Sequence, residues 1–176
     1  MNAKNKSDRD DKLAIEPRQI TDDPGLPERI RNLVNGEPYG VLCTQGEGEP
    51  YGSLVAFAFS DDLDAFVFAT PKETRKYGFL KKNDGVALVI DTRGRYPDDM
   101  TRVEALTVTG RADEIKDETA RQVWSLLLGE RHPHLKQFIT AETSALFKVS
   151  VTKYYHVSRF QELRQWCPPD AGHKKT

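Results

Sequence analysis

Residues 68–91 read "FATPKETRKYGFLKKNDGVALVID", and the reading of this stretch decides the fold. It passes from an apolar strand-like segment, through a polar turn, into a short helix and then a second apolar strand. Thr70-Pro71-Lys72-Glu73 fits a capping box: Thr70 as the N-cap, Pro71 as the first helical residue, and Glu73 reaching back to the N-cap amide. That reading explains Thr70, Pro71 and Glu73 but not the cations. Lys72, Arg75 and Lys76 fall near the positive end of the helix dipole, which disfavours each by roughly a few tenths of a kcal/mol. A solvated face tolerates them. A phosphate would reverse the sign, with Arg75 as a two-pronged donor, Lys76 as a point charge, and the Thr70 and Thr74 hydroxyls assisting.

Working outward, the N-terminal side carries a helix pattern around Leu26–Val34, with Ile30, Leu33 and Val34 spaced for one face and Asn35-Gly36 as the stop. "YGVLCTQ" and "YGSLVAFAFS" follow as strands around the turn residues "GEGEP", and "AFVFAT" comes after "SDDLD". The connections are too short for parallel crossovers, so these strands form an antiparallel meander. On the C-terminal side "GVALVID" is a strand, and "TRGRYPDDMT" is a long polar connection expected to be mobile. "VEALTVTGRADEI" is a long strand with Gly110 marking a bulge. A helix over "DETARQVWSLLLGERHP" places Ala120, Val123, Trp124 and Leu127 on one face, with Gly129 and Pro133 closing it. A short helix, "HPHLKQFI", precedes the last long strand, "SALFKVSVTKYYHVSRF". The expected fold class is mainly β: a six-stranded antiparallel barrel with two or three covering helices.

Residues 1–23 are charged and poor in core formers and are expected to be a mobile, disordered arm. The domain spans 24–162, and 163–176 form a tail in which Trp166 can dock. The chain has 26 basic and 27 acidic residues, a net charge of −1, so no global field draws it to nucleic acid or membrane. No apolar run reaches the roughly 20 residues that a bilayer span requires, and the N-terminus lacks the apolar core of a signal peptide. Two cysteines, Cys43 and Cys167, do not suggest a disulfide framework. The expectation is a soluble cytoplasmic protein.

The segment "FVFATPKETRKYGFLKKNDGVALVID" resembles the core motif of the pyridoxamine 5'-phosphate oxidase-like FMN-binding split-barrel family. That motif has a strand ending in Thr, a hydroxyl residue before an Arg-Lys pair opening a helix, an Asn-x-x-Val step and an apolar strand. The order of segments over residues 27–161 agrees. The resemblance implies a homodimer of split barrels with FMN at the subunit interface, and a small-molecule substrate or electron donor. It places Arg75 and Lys76 on the FMN phosphate, with Thr70 and Thr74 assisting. It sets Ser53, Leu54 and Val55 beside the flavin ring and Ala69 next to Thr70. Where the family often has a Gln that meets the flavin, this chain offers Glu104 or Ala105. The C-terminal Trp and Arg-x-Asp-Arg pattern of true pyridoxamine phosphate oxidases is missing, "FQELRQW" being a poor substitute, so vitamin B6 chemistry is not implied.

The implied activity is that of a flavin-dependent oxidoreductase, in which the cofactor carries the redox chemistry and no catalytic side chain is assigned. Rival readings are a flavin carrier without turnover, or a split barrel using deazaflavin or haem, the last with His156 or His173 as axial ligand. His132-Pro133-His134 lacks the further ligands that zinc requires, so no metal is expected. Cys43 reads as a small apolar strand residue, and His156 as a structural histidine. Arg93 and Arg95 read as solvated, or as a clamp for an anionic substrate or the nucleotide part of a cofactor. Tyr154 and Tyr155 are expected on opposite faces of the last strand.

Overall fold

The alternation of apolar and polar residues closes a sheet on itself. A computed structural model of the protein describes residues 18–159 and 161–169. In chain order it contains β1 (Arg18–Ile20), α1 (Leu26–Gly36), β2 (Tyr39–Gly46), β3 (Glu49–Phe59), β4 (Ala65–Pro71) and α2 (Arg75–Lys82). These are followed by β5 (Gly85–Asp91), β6 (Ala105–Glu114), α3 (Glu118–Arg131), α4 (Lys136–Thr140), β7 (Ser144–Ser158) and β8 (Glu162–Trp166). The sheet order is β1-β8-β7-β4-β3-β2-β5-β6, and β6 also pairs with β7. The strands β2 to β7 therefore form a closed barrel of antiparallel pairs, in which β2, β3 and β4 make the expected meander.

Inward positions along β3 and β4 carry Val55, Phe57, Phe66 and Phe68, which pack with Leu88, Leu106 and Phe147 in one core. At one end α1 plugs the barrel with Leu26, Ile30, Leu33 and Val34. On the outside, Leu128 and Ile139 from α3 and α4 cover Ala58, Val67 and Leu146. Strands buried on both faces read as unbroken apolar runs, which is why "AFVF" and "SALF" do not alternate.

Several expectations shift. The presumed arm is structured at its C-terminal end, where β1 pairs in parallel with β8, and β8 itself extends the sheet into the presumed tail. The rest of both segments, residues 1–17 and 170–176, lies outside the described residues, His173 included. The register does slip at Gly110, but the extra residue is Thr152 on β7, because Thr109 faces Lys153 and Gly110 faces Val151. A Cβ at Gly110 would sit 2.4 Å from the Ser150 carbonyl oxygen, so the strands meet there only without a side chain. On α3, Trp124 and Leu127 pack inward, whereas Val123 is exposed and buried Gly129 lies inside the helix. The 92–104 connection holds itself together: the Glu104 amide donates to Thr92 Oγ1 at 2.9 Å, and Asp99 caps a short turn at Thr101.

Candidate functional site

The sheet opens between β3 and β4. Their ladder covers only Phe57–Phe59 against Phe66–Phe68. Beyond it, β3 continues from Ala56 back to Glu49 paired only with β2, and β4 continues through Ala69–Pro71 paired only with β7. Backbone groups on the two lips of this split have no strand to satisfy them. The expected ring-side residues line it: Ser53, Leu54 and Val55 on one lip, Ala69 and Thr70 on the other. Leu54 points outward and is 69% exposed, while Val55 turns into the core. The Ser53 hydroxyl is buried without a hydrogen-bond partner among the described residues.

The chain leaves β4 at Pro71 and enters β5, which pairs with β2. Helix α2 must therefore cross the open end of the split. It starts later than the capping-box reading expects, and Thr74, not Thr70, is the N-cap. Its hydroxyl accepts from the Tyr77 amide at 3.3 Å. Thr70 and Pro71 are claimed by the sheet, opposite Ala145 and Ser144, and the Lys72 amide extends the ladder to the Thr143 carbonyl. Tyr77 stands where a capping box needs Glu or Gln, Glu73 is outside the helix, and the first turn has no acid.

This correction makes the start of α2 more cationic than the sequence reading did. Arg75 and Lys76 become the first two helical residues, positions whose amides have no intrahelical acceptor. The Thr70 and Thr74 hydroxyls are hydrogen-bonded to each other at 3.0 Å beside them. Lys76 is half-buried and has no hydrogen bond or ion pair among the described residues, and burial holds its pKa below the usual lysine value. Arg75 is more exposed. Its Nη2 lies 2.6 Å from Glu49 Oε2, and its guanidinium faces the rings of Tyr51 and Phe79 at 5.5 and 5.1 Å. Lys72 turns away to donate to the Glu142 carbonyl at 2.7 Å. The structure thus brings Thr70, Thr74 and Arg75 together at the start of α2, where Lys76 follows as the second helical residue. Glu49, Tyr51 and Phe79 complete that point. No periodicity or spacing links them to Arg75, and only the β2–β3 pairing does.

The other singled-out residues are occupied elsewhere. His156 is fully buried, and its Nε2–H donates to Glu104 Oε2 at 2.9 Å, while its Nδ1 has no partner among the described residues. Burial lowers its pKa against the opposing pull of Glu104. Glu104 is thereby turned to His156. His132 Nε2–H donates to the Phe57 carbonyl at 2.9 Å. Arg93 pairs with Asp91 and Arg95 with Glu37, at 3.0 and 2.7 Å. Tyr154 is a core residue that donates to the Leu63 carbonyl, and Tyr155 lies on the outer face. Cys43 is half-buried on β2.

Residues 26–158 match the family model described as pyridoxamine 5'-phosphate oxidase. A search of curated proteins finds no match. Among solved structures, a heme binding protein from Mycobacterium smegmatis superposes with a TM-score of 0.73 at 16% identity, over 84% of this chain and 60% of that one. The chain therefore spans about 60% of the length of that protein. A Clostridium acetobutylicum protein related to general stress protein 26 of Bacillus subtilis (pyridoxinephosphate oxidase family) gives 0.63 at 18% identity, over 83% and 96%. General Stress Protein 26 from Bacillus anthracis gives 0.58 at 22%, over 76% and 94%. At these identities the likeness is one of fold.

Proposed function

This chain belongs to the pyridoxamine 5'-phosphate oxidase family, and from that premise we propose that it binds FMN and acts as a flavin-dependent oxidoreductase on a small molecule. The observation that carries the reading is the start of α2. Lys76, half-buried without a counter-ion among the described residues, the Arg75 guanidinium and two paired hydroxyls all lie along residues 70–76, beside the open ladder. Arg75 and Lys76 would hold the phosphate with Thr70 and Thr74. Backbone groups of Ser53–Val55 and Ala69 would flank the ring, and the orphan Ser53 hydroxyl offers a further donor. Bound flavin supplies hydride or electron transfer, and the chain supplies binding and orientation.

The same proposal includes a homodimer with the cofactor at its interface. Leu54, Val41, Val89, Thr107 and Tyr155 are register neighbours and form one row across the outer face of the barrel. A second copy seated on that row would cover exposed Leu54 beside the split. No helix among the described residues is long and apolar enough to cross a membrane. The free cysteines Cys43 and Cys167 suit a cytoplasmic setting. Vitamin B6 chemistry is not part of the proposal, since Arg164 in the C-terminal segment is held by Asp23, Glu162 and Ser158.

Haem is the second reading, favoured by the fold neighbour named as a heme binding protein. It meets an obstacle here: His156 would have to leave Glu104 and the core to reach an iron. Titration with haem, with deazaflavin and with FMN separates the cofactors. A Soret band lost on His156→Ala would favour haem. Reduction of bound FMN by NADH or NADPH and reoxidation by an acceptor separate an enzyme from a carrier: a flavin that neither donor reduces would sink the oxidoreductase reading.

A further inference from the structure

The β2–β3 hairpin ends in Glu47-Gly48, both at positive φ (56° and 82°), between the paired residues Gly46 and Glu49. This is the tight two-residue turn that matches strand twist. The hairpin tip presses on α2: a Cβ at Gly46 would lie 2.1 Å from the Phe79 ring. Its two carboxylates reach opposite ends of that helix. Glu49 Oε2 meets Arg75 Nη2 and Glu47 Oε1 meets Lys82 Nζ, each at 2.6 Å.

The two contacts differ in consequence. Lys82 is the last residue of α2, where a cation is favoured by the dipole anyway. Arg75 is the first, at the proposed phosphate site. A carboxylate already placed on one guanidinium nitrogen occupies a prong that a phosphate oxygen would use, and it repels the incoming anion. Both side chains are more than half exposed (54% and 67%), so Glu49 can swing into water when displaced without stranding a buried charge.

We propose that Glu49 is a built-in competitor for the cofactor's phosphate. It holds Arg75 while the site is empty, with the guanidinium kept in register by Tyr51 and Phe79, and it yields when phosphate arrives. The cofactor is then held slightly less tightly than Arg75 and Lys76 alone would hold it. This inference rests on the flavin reading of the site.

The test titrates FMN and riboflavin into cofactor-free protein of three kinds: unaltered, Glu49→Gln and Glu47→Gln. Flavin fluorescence is followed at fixed ionic strength. Exposed ion pairs are weak, so Glu49→Gln should tighten FMN by about two- to fivefold. Riboflavin, which lacks the phosphate, should not respond. Glu47→Gln makes the same charge change two residues away; its carboxylate acts on Arg75 only through space, so it should tighten FMN less than Glu49→Gln does and leave riboflavin unchanged. Equal FMN affinity in the unaltered protein and Glu49→Gln would overturn the competitor and leave the flavin reading standing. So would equal tightening by both variants, which would mark a diffuse field, or weakening by Glu49→Gln, which would make Glu49 a support for Arg75. Failure of every form to take up FMN would overturn the competitor and the flavin reading together.

Discussion

The two ends of strand β7 treat charge in opposite ways. Near its C-terminal end, the buried cation is answered inside the chain. Arg164 is almost fully buried, with Nη1 donating to Ser158 Oγ at 2.8 Å, Nη2 meeting Glu162 at 2.9 Å, and Nε lying 2.8 Å from Asp23 Oδ2 as an ion pair off the hydrogen-bond line. His156, opposite Arg164 in the β7–β8 register, meets Glu104. At the other end, near Ala145 and Thr70, Lys76 has no answer among the described residues and Arg75 has only an exposed one. Charge answered within the chain fastens β1 and β8 to the barrel. Charge left over, beside amides and hydroxyls, is what a ligand can answer.

The largest effect expected from this contrast belongs to the unanswered end. Arg75→Ala with Lys76→Ala removes two charge-assisted contacts and should weaken FMN binding by about a thousandfold. The melting temperature should stay close to its original value, because Arg75 contributes only a surface pair. Stoichiometric FMN in the purified double variant would break the contrast.

At the answered end the pattern inverts. Arg164→Met leaves Asp23 and Glu162 with only their longer pairs to Arg29 and Arg159, at 3.6 and 3.8 Å, and should cost about 2 kcal/mol of stability, read by denaturant unfolding, with FMN affinity unchanged. Loss of FMN with intact stability would mean that Arg164 serves the cofactor.

Thr74→Ala should show both kinds of effect on a smaller scale. It removes the helix cap, at about 1 kcal/mol, and one hydroxyl from the proposed phosphate site, whereas Thr74→Ser should restore both. A variant that changes stability alone would restrict Thr74 to capping.

The smallest effect is a pH dependence. Burial lowers the pKa of His156, with Arg164 and Arg29 acting in the same direction and Glu104 opposing, and burial also lowers that of His132. The unfolded chain then takes up protons first as pH falls below about 6.5. Stability should be full above that pH and decline as pH drops toward the folded values. His156→Gln should flatten part of the decline. A protein that gains stability on acidification would show that Glu104 outweighs burial.

Much of the barrel was legible because strand alternation and short turns leave few arrangements. The site was legible in composition but not in placement. Thr70-Pro71-Lys72-Glu73 satisfies the local rule for a helix start, yet pairing with Ser144–Ala145 on a strand over 70 residues away takes Thr70 and Pro71 into the sheet and moves the cap to Thr74. Strands β1 and β8 were missed for the same reason: Arg18–Ile20 has almost no apolar pattern, and parallel pairing with β8 defines it. Glu49 could not be assigned to Arg75 from spacing, since only hairpin closure brings them together. Local signals located the helix, and non-local pairing decided where it begins and what faces it.

The most direct measurement is to purify the protein, denature it, and identify and quantify any released chromophore by absorbance and mass, followed by FMN titration of the stripped chain. FMN, released or taken up, is expected at about one per chain. A colourless protein that takes up no FMN would contradict it and return the start of α2 to a capped, solvated helix.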